Sequence, residues 1–200
     1  MYWFADRQQA MKTGVEKQRR RSIRLREYDY TQPGAYFITI VAHARAMLFA
    51  EISDGKAWLN EFGRIVENEW QKSAVIRREI GLDVFVVMPN HIHGIVNIIH
   101  ADVGATGRSP LRNGPPPRSL GAFVAGFKSA VTKRINNLRR TPGAPVWQRN
   151  YYEHVVRSDA ELLRVREYIL NNPVGWENDR ENPLRPAGGK RAGAMEPWQV

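Results

Sequence analysis

A chain of 200 residues, 42% of them hydrophobic, can bury one sizeable core, and its length favours one domain with appendages over two full domains. The absence of cysteine excludes disulfides, thiolate metal sites and cysteine nucleophiles, and with no run of about 18 apolar residues and no signal-peptide pattern the expectation is a soluble cytoplasmic protein. Thirty Lys plus Arg against 20 Asp plus Glu give a net charge of +10, and because no basic segment has an apolar face left over for lipid, nucleic acid is the favoured polyanion and a membrane is not.

Residues 1–22 lack a sustained pattern and end in a basic run containing Arg19, Arg20 and Arg21, readable as a solvated arm or as a phosphate-contacting one. Tyr28 and Tyr30 lie in a polar lead-in to GAYFITIV, residues 34–41, a strong strand signal. Residues 47–52 and 56–59 flank Asp54-Gly55, a preferred hairpin turn. Asn60 is positioned to cap a helix from Glu61 to about Arg78, in which Phe62, Ile65, Val66, Trp70 and Ala74 recur at helical spacing.

VFVVMPNHIHGIVNII, residues 84–99, predicts two strands joined by a tight turn at Pro89-Asn90. Side chains alternate along a strand, so His91 and His93 share one face and Ile92 enters the other. A lone strand histidine is more often a satisfied polar residue than a ligand, but two imidazoles side by side can share one cation, and metal binding is favoured here.

After Ile99 the character changes. Residues 101–118 are rich in Gly and Pro and carry Arg108, Arg112 and Arg118, the pattern of a long irregular loop. Ser119 then caps a helix to about Arg139, with Leu120, Phe123, Val124, Phe127, Val131, Ile135 and Leu138 on its buried face. Lys128, Lys133 and Arg134 lie along the remainder, a solvated surface or, beside a basic loop, a nucleic-acid contact. Residues 146–156 read as a strand, and Asp159 to Asn172 as a helix capped by Ser158 and stopped by Pro173, with Leu162, Leu163, Val165 and Ile169 supplying its apolar face. Tyr168 and Asn172 are four apart on that helix, hence on one face. The remainder is polar and reads as a loosely attached tail.

The order of elements predicts an α+β protein with a ferredoxin-like βαββαβ split sheet: four antiparallel strands, two helices on one face, and a C-terminal helix added. The histidine strand is central in that arrangement, and the added helix is available to cover its polar face. The expected organisation is a basic arm over 1–22, a domain over 23–176 and a polar tail over 177–200.

MPNHIHGIV, VWQRNYYEHVVRS and EYILNNPVGW, in this order and at these distances, resemble the REP-associated tyrosine transposases, bacterial members of the single-tyrosine HUH transposase superfamily. The resemblance spans about Tyr28 to Trp176. It implies a catalytic role for Tyr168 as nucleophile and a metal site formed by His91, His93 and Asn172, with Asn172 offering an amide. It further implies metal-dependent cleavage and rejoining of single-stranded or hairpin DNA, of the repetitive extragenic palindrome kind, through a 5′-phosphotyrosine intermediate. Phosphate oxygens suit Mg2+ or Mn2+ as the divalent metal. A monomer or a homodimer in the bacterial cytoplasm, associated with the nucleoid, fits equally. Two other readings stand beside it: a catalytically silent binder of DNA or RNA hairpins, and an unrelated zinc hydrolase using His-x-His. Tyr151, Tyr152, His43, His100 and His154 are weaker candidates for the same roles.

Overall fold

The structure, a computed structural model, describes residues 28–99 and 115–185. Six strands and three helices follow in order: β1 (Gly34–Val41), β2 (Ala50–Ser53), β3 (Lys56–Leu59), α1 (Glu61–Ile76), β4 (Ile80–Val87), β5 (His91–Ile98), α2 (Leu120–Arg139), β6 (Tyr152–Val156) and α3 (Asp159–Asn171). β4, β5, β1 and β6 form one antiparallel sheet in that spatial order, and β2 with β3 makes a separate hairpin. This is the split βαββαβ arrangement, with the histidine strand β5 inside the sheet between β4 and β1.

Strand alternation sorts the two faces. Tyr36, Ile38 and Ile40 of β1 and Ile92, Val96 and Ile98 of β5 turn toward α1 and α2, where Ile65, Val66 and Trp70 meet Phe123, Phe127, Val131 and Ile135 in the main core. Full burial of one such isoleucine contributes about 1.5–3 kcal/mol before entropy is counted. Gly94 lets the two layers close: a Cβ there would lie 2.6 Å from two atoms of the Trp70 indole, which stacks on Phe85 at 4.5 Å.

The opposite face is smaller. Phe37 and Ile95 of the sheet meet Val165 and Ile169 of α3, with Val84, Val86, Tyr152, Leu162 and Tyr168 around them. The added helix therefore covers the face onto which His91 and His93 project. Caps at all three helices are side-chain acceptors: Asn60 for Gly63 N–H, Ser119 for Ala122 N–H and Ser158 for Glu161 N–H.

Several expectations need correction. The strand expected over 146–156 is confined to Tyr152–Val156; Val146 and Trp147 are buried beside β1, with one bridge from Trp147 to Ala42, and the carbonyls of Gln148, Arg149 and Asn150 accept from the Lys128 ammonium instead of a strand. Leu138 and Leu163, expected on buried faces, are 43% and 63% exposed. On α3 the buried stripe runs through Leu162, Val165, Tyr168 and Ile169, spaced three and four apart, and Leu163 falls outside it. The segment after α3 is not loosely attached over its described part. Trp176–Asn178 forms a 3-10 turn, Glu181 is buried, and Arg45 pairs with Glu181 at 3.0 Å. Glu181, which read as part of a solvated tail, folds back because Arg45 pairs with its carboxylate and Asn90 donates to its carbonyl. Residues 186–200, the arm over 1–22 and most of the Gly- and Pro-rich loop lie outside the described residues.

Candidate active site

The site begins at the β4–β5 turn. Met88 N–H donates to the His91 carbonyl at 2.8 Å, and the Pro89 and Asn90 carbonyls accept from Phe49 and Ala42 N–H, so the first residue of β5 is held on three sides. Asn90 is the hinge of the local chemistry. Its amide nitrogen donates to the carbonyls of Glu181 at 2.7 Å and Arg45 at 3.3 Å, which leaves its Oδ1 as an acceptor 2.9 Å from His91 Nδ1. His91 Nδ1 must then carry the proton, and the lone pair of Nε2 points inward. His93 Nδ1 lies 2.8 Å from the Thr39 hydroxyl, and the two Nε2 atoms face each other at 3.0 Å.

Both rings are buried. Burial drives the His91 pKa down to about 3, the Arg180 charge adds to the effect and the Asn172 side chain opposes it. Burial, then His91 and Arg180, hold His93 well below the ordinary histidine value. Both imidazoles are neutral at physiological pH, the form that ligates metal.

α3 brings the other expected residues to this face. The Tyr168 ring lies 5.3 Å from the His93 ring and 6.0 Å from Phe37, centroid to centroid. Asn172, one turn on, is buried, and its Oδ1 has no hydrogen-bond partner. A buried, orphaned amide oxygen costs about 1–3 kcal/mol, so a ligand that accepts its lone pair is the economical explanation.

Two anchors position α3. Arg166 forks onto Asp83 with contacts of 2.6, 3.1 and 3.2 Å, where a register shift between Leu82 and Phe85 interrupts β4. Glu161, in the first turn, accepts from Arg157 N–H and lies 2.7 Å from His154 Nε2. His154 is thus occupied away from the histidine pair. Tyr152 packs edge-on against Phe37, and Tyr151 lies 5.8 Å under the Lys128 ammonium.

Sequence reasoning missed Asp179, Asn90 and Thr39. His91, His93 and Asp179 form a group whose ligand atoms all lie within 4.8 Å of one another, and Asp179 Oδ2 is 3.9 Å from His91 Nε2. With His91 neutral this is not an ion pair. Two ligands of an octahedral ion with bonds near 2.1 Å lie about 3 Å apart when adjacent and about 4 Å apart when opposite. The observed separations of 3.0 and 3.9 Å fall in that span, so these two donor pairs are compatible with a shared divalent cation.

The expected DNA-contacting residues divide. Arg19, Arg20, Arg21, Arg108 and Arg112 lie outside the described residues. Arg118 and Lys133 are exposed. Arg134 is paired with Glu69 at 2.6 Å, and the Lys128 ammonium caps three carbonyls, with burial lowering its pKa to about 8. Among the described residues no helix is long and apolar enough to cross a membrane.

Fold and site together define a split-sheet α+β protein whose central histidine pair lies under a tyrosine-bearing helix. No family model matches the chain. An uncharacterised protein of Haemophilus influenzae is 37% identical over 167 residues, 80% of this chain and 92% of that protein. A second protein of that organism, described as "Putative REP-associated tyrosine transposase", is 25% identical over 154 residues, 73% of each chain. Among solved structures, a REP-associated tyrosine transposase bound to a REP hairpin superposes with a TM-score of 0.54 at 19% identity, over 76% of this chain and 73% of that one, a likeness of fold. The chain is thus similar to REP-associated tyrosine transposases in sequence and in fold.

Proposed function

We propose that the protein is a metal-dependent, site-specific endonuclease and strand transferase acting on single-stranded DNA beside hairpins. The observation that carries the proposal is the 5.3 Å approach of the Tyr168 ring to His93, on the face that also holds His91 and the orphaned Asn172 oxygen. That juxtaposition supplies a nucleophile beside a phosphate-binding centre, within a single chain. The transposase relatives and the hairpin bound to the solved neighbour support the same substrate class.

His91, His93 and Asn172 would hold the cation, Mg2+ or Mn2+. When bound, it supplies positive charge that polarises the scissile phosphate. The chain's own residues do the rest. Asn90 and Thr39 fix the two imidazoles from behind, the role that outer hydrogen-bond partners play for ligating histidines. Tyr168 gives up its phenolic proton to solvent or a base and its Oη attacks phosphorus. The bond to the 3′ oxygen breaks and that oxygen leaves as a 3′ hydroxyl after taking a proton. The product is a 5′-phosphotyrosine whose ester a second 3′ hydroxyl can attack, joining strands without ATP. An ordinary phenol has a pKa of about 10, so the reaction needs the nearby positive charge. Exposed Lys133 and Arg118, together with the basic residues outside the described chain, are proposed to follow the phosphate backbone.

The test is incubation with Mg2+ or Mn2+ and a library of single-stranded hairpins, followed by mass mapping of any protein–DNA adduct. The expected adduct sits on Tyr168 and is absent from Tyr168→Phe. An adduct on Tyr151 or Tyr152 overturns the assignment of Tyr168, and salt-sensitive binding with no cleavage under either metal overturns the enzyme reading and favours the silent binder.

A further inference from the structure

The segment after α3 ends a domain whose histidine pair already has its expected partner in Asn172, yet it places a carboxylate at the same point. Asp179 is held there by a compact turn. Its Oδ1 accepts Glu181 N–H at 2.6 Å, leaving Oδ2 directed to His91 Nε2 at 3.9 Å. The turn is locked to the β4–β5 corner by Asn90, whose amide donates to the Glu181 carbonyl, and by the Arg45–Glu181 ion pair at 3.0 Å. Trp176 lies 6.0 Å over the His91 ring and its carbonyl accepts from Asn182.

Asn90 is the connection that makes this more than proximity. The same side chain that sets the His91 tautomer through Oδ1 also grips the Asp179 turn through its amide nitrogen. One residue therefore orients an imidazole lone pair and a carboxylate toward the same space. The Arg180 and Arg45 charges offset part of the cost of the buried carboxylate, and a divalent cation between it and the two neutral imidazoles would be ligated by both.

We infer that Asp179 is an additional protein ligand of the divalent cation, so that the turn over residues 176–182 is part of the metal site and not an appendage. This rests on the metal-dependent reading of the histidine pair. An anionic ligand raises affinity for a hard cation such as Mg2+ or Mn2+ over what two imidazoles and an amide offer, since those ions prefer oxygen donors. It also ties the folding of the turn to metal loading.

Two measurements on the full chain test the inference. Mn2+ binding is read from loss of the free-ion electron paramagnetic resonance signal in the wild type, Asp179→Asn and His93→Ala. Asp179→Asn is expected to weaken Mn2+ binding at least tenfold, the lower end of what loss of even an indirect partner costs. Because the chain has no cysteine, Asp179→Cys gives a second readout. Added Cd2+ should produce a thiolate charge-transfer band at one equivalent, and the band should disappear when His91→Ala is combined with it. Unchanged Mn2+ affinity in a folded Asp179→Asn, or no Cd2+ band with Asp179→Cys, overturns the ligand role. If His93→Ala still loses Mn2+ in that case, the histidine site survives and only the role of Asp179 falls. A wild type that binds no Mn2+ overturns both. Should Asp179→Asn fail to fold, the Cd2+ band alone decides.

Discussion

Arg166 on α3 and Asp83 on β4, 83 residues apart in sequence, meet through a two-pronged contact with a shortest distance of 2.6 Å. Tyr168 is two residues beyond Arg166, so the helix that carries the proposed nucleophile is tied to the sheet close to the tyrosine itself. Guanidinium and carboxylate match as planar forks, which fixes direction as well as distance. Arg166→Ala and Asp83→Ala should each lower cleavage, and the double variant should lose little more than either single one. Fully additive losses in this cycle would show that the pair does not act as a unit.

The same pair gives a pH signature. Burial raises the Asp83 carboxyl, but hydrogen bonds from Arg166 and Val84 N–H and the Arg166 charge outweigh it and leave the pKa below the ordinary 3.8. A carboxyl depressed in the folded state contributes stability above its unfolded value and loses it as pH falls through the folded one. The stability difference between wild type and Asp83→Asn should therefore be flat from about pH 8 to 5 and shrink below about pH 4. Urea unfolding across that range measures it, and a gap that widens in acid contradicts the sign.

Gly94→Ala tests how the two layers above the sheet close. The new methyl group would lie 2.6 Å from two Trp70 atoms and 3.3 Å from Phe85, and the indole is wedged between Phe85 and the edges of Phe123 and Phe127. The indole has no free side to retreat to. A loss of about 1–3 kcal/mol is expected from overpacking of this kind. Denaturant titration reads it directly.

Lys128 and Lys133 look alike in sequence and should separate in a DNA-binding assay. Lys133→Ala should lower the slope of log affinity against log salt by about one, as for loss of one phosphate contact. Lys128→Met should leave that slope unchanged and instead destabilise the chain by about 1–2 kcal/mol, because its ammonium holds the carbonyls of residues 148–150. Equal slope changes in the two variants would place Lys128 on the DNA.

Periodicity carried much of the site into view before folding was considered. Alternation put His91 and His93 on one face, and four-residue spacing put Tyr168 and Asn172 on one side of α3. Asn60, Ser119 and Ser158 were legible as caps because capping is a contact within three residues. The order of elements was enough for the split sheet, since strand pairing follows from few permitted connections.

Which groups meet depends on the folded chain. Asp179 stands 88 positions beyond His91 in a stretch with no hydrophobic period, and its approach depends on Asn90 and Arg45 gripping Glu181. Thr39 reaches His93 through the β1–β5 register, which a single strand does not reveal. Lys128 turns inward because the chain before β6 leaves three carbonyls without strand partners. Local spacing fixes the face of an element. Which distant side chain meets that face is set by the burial and hydrogen bonding of the folded whole.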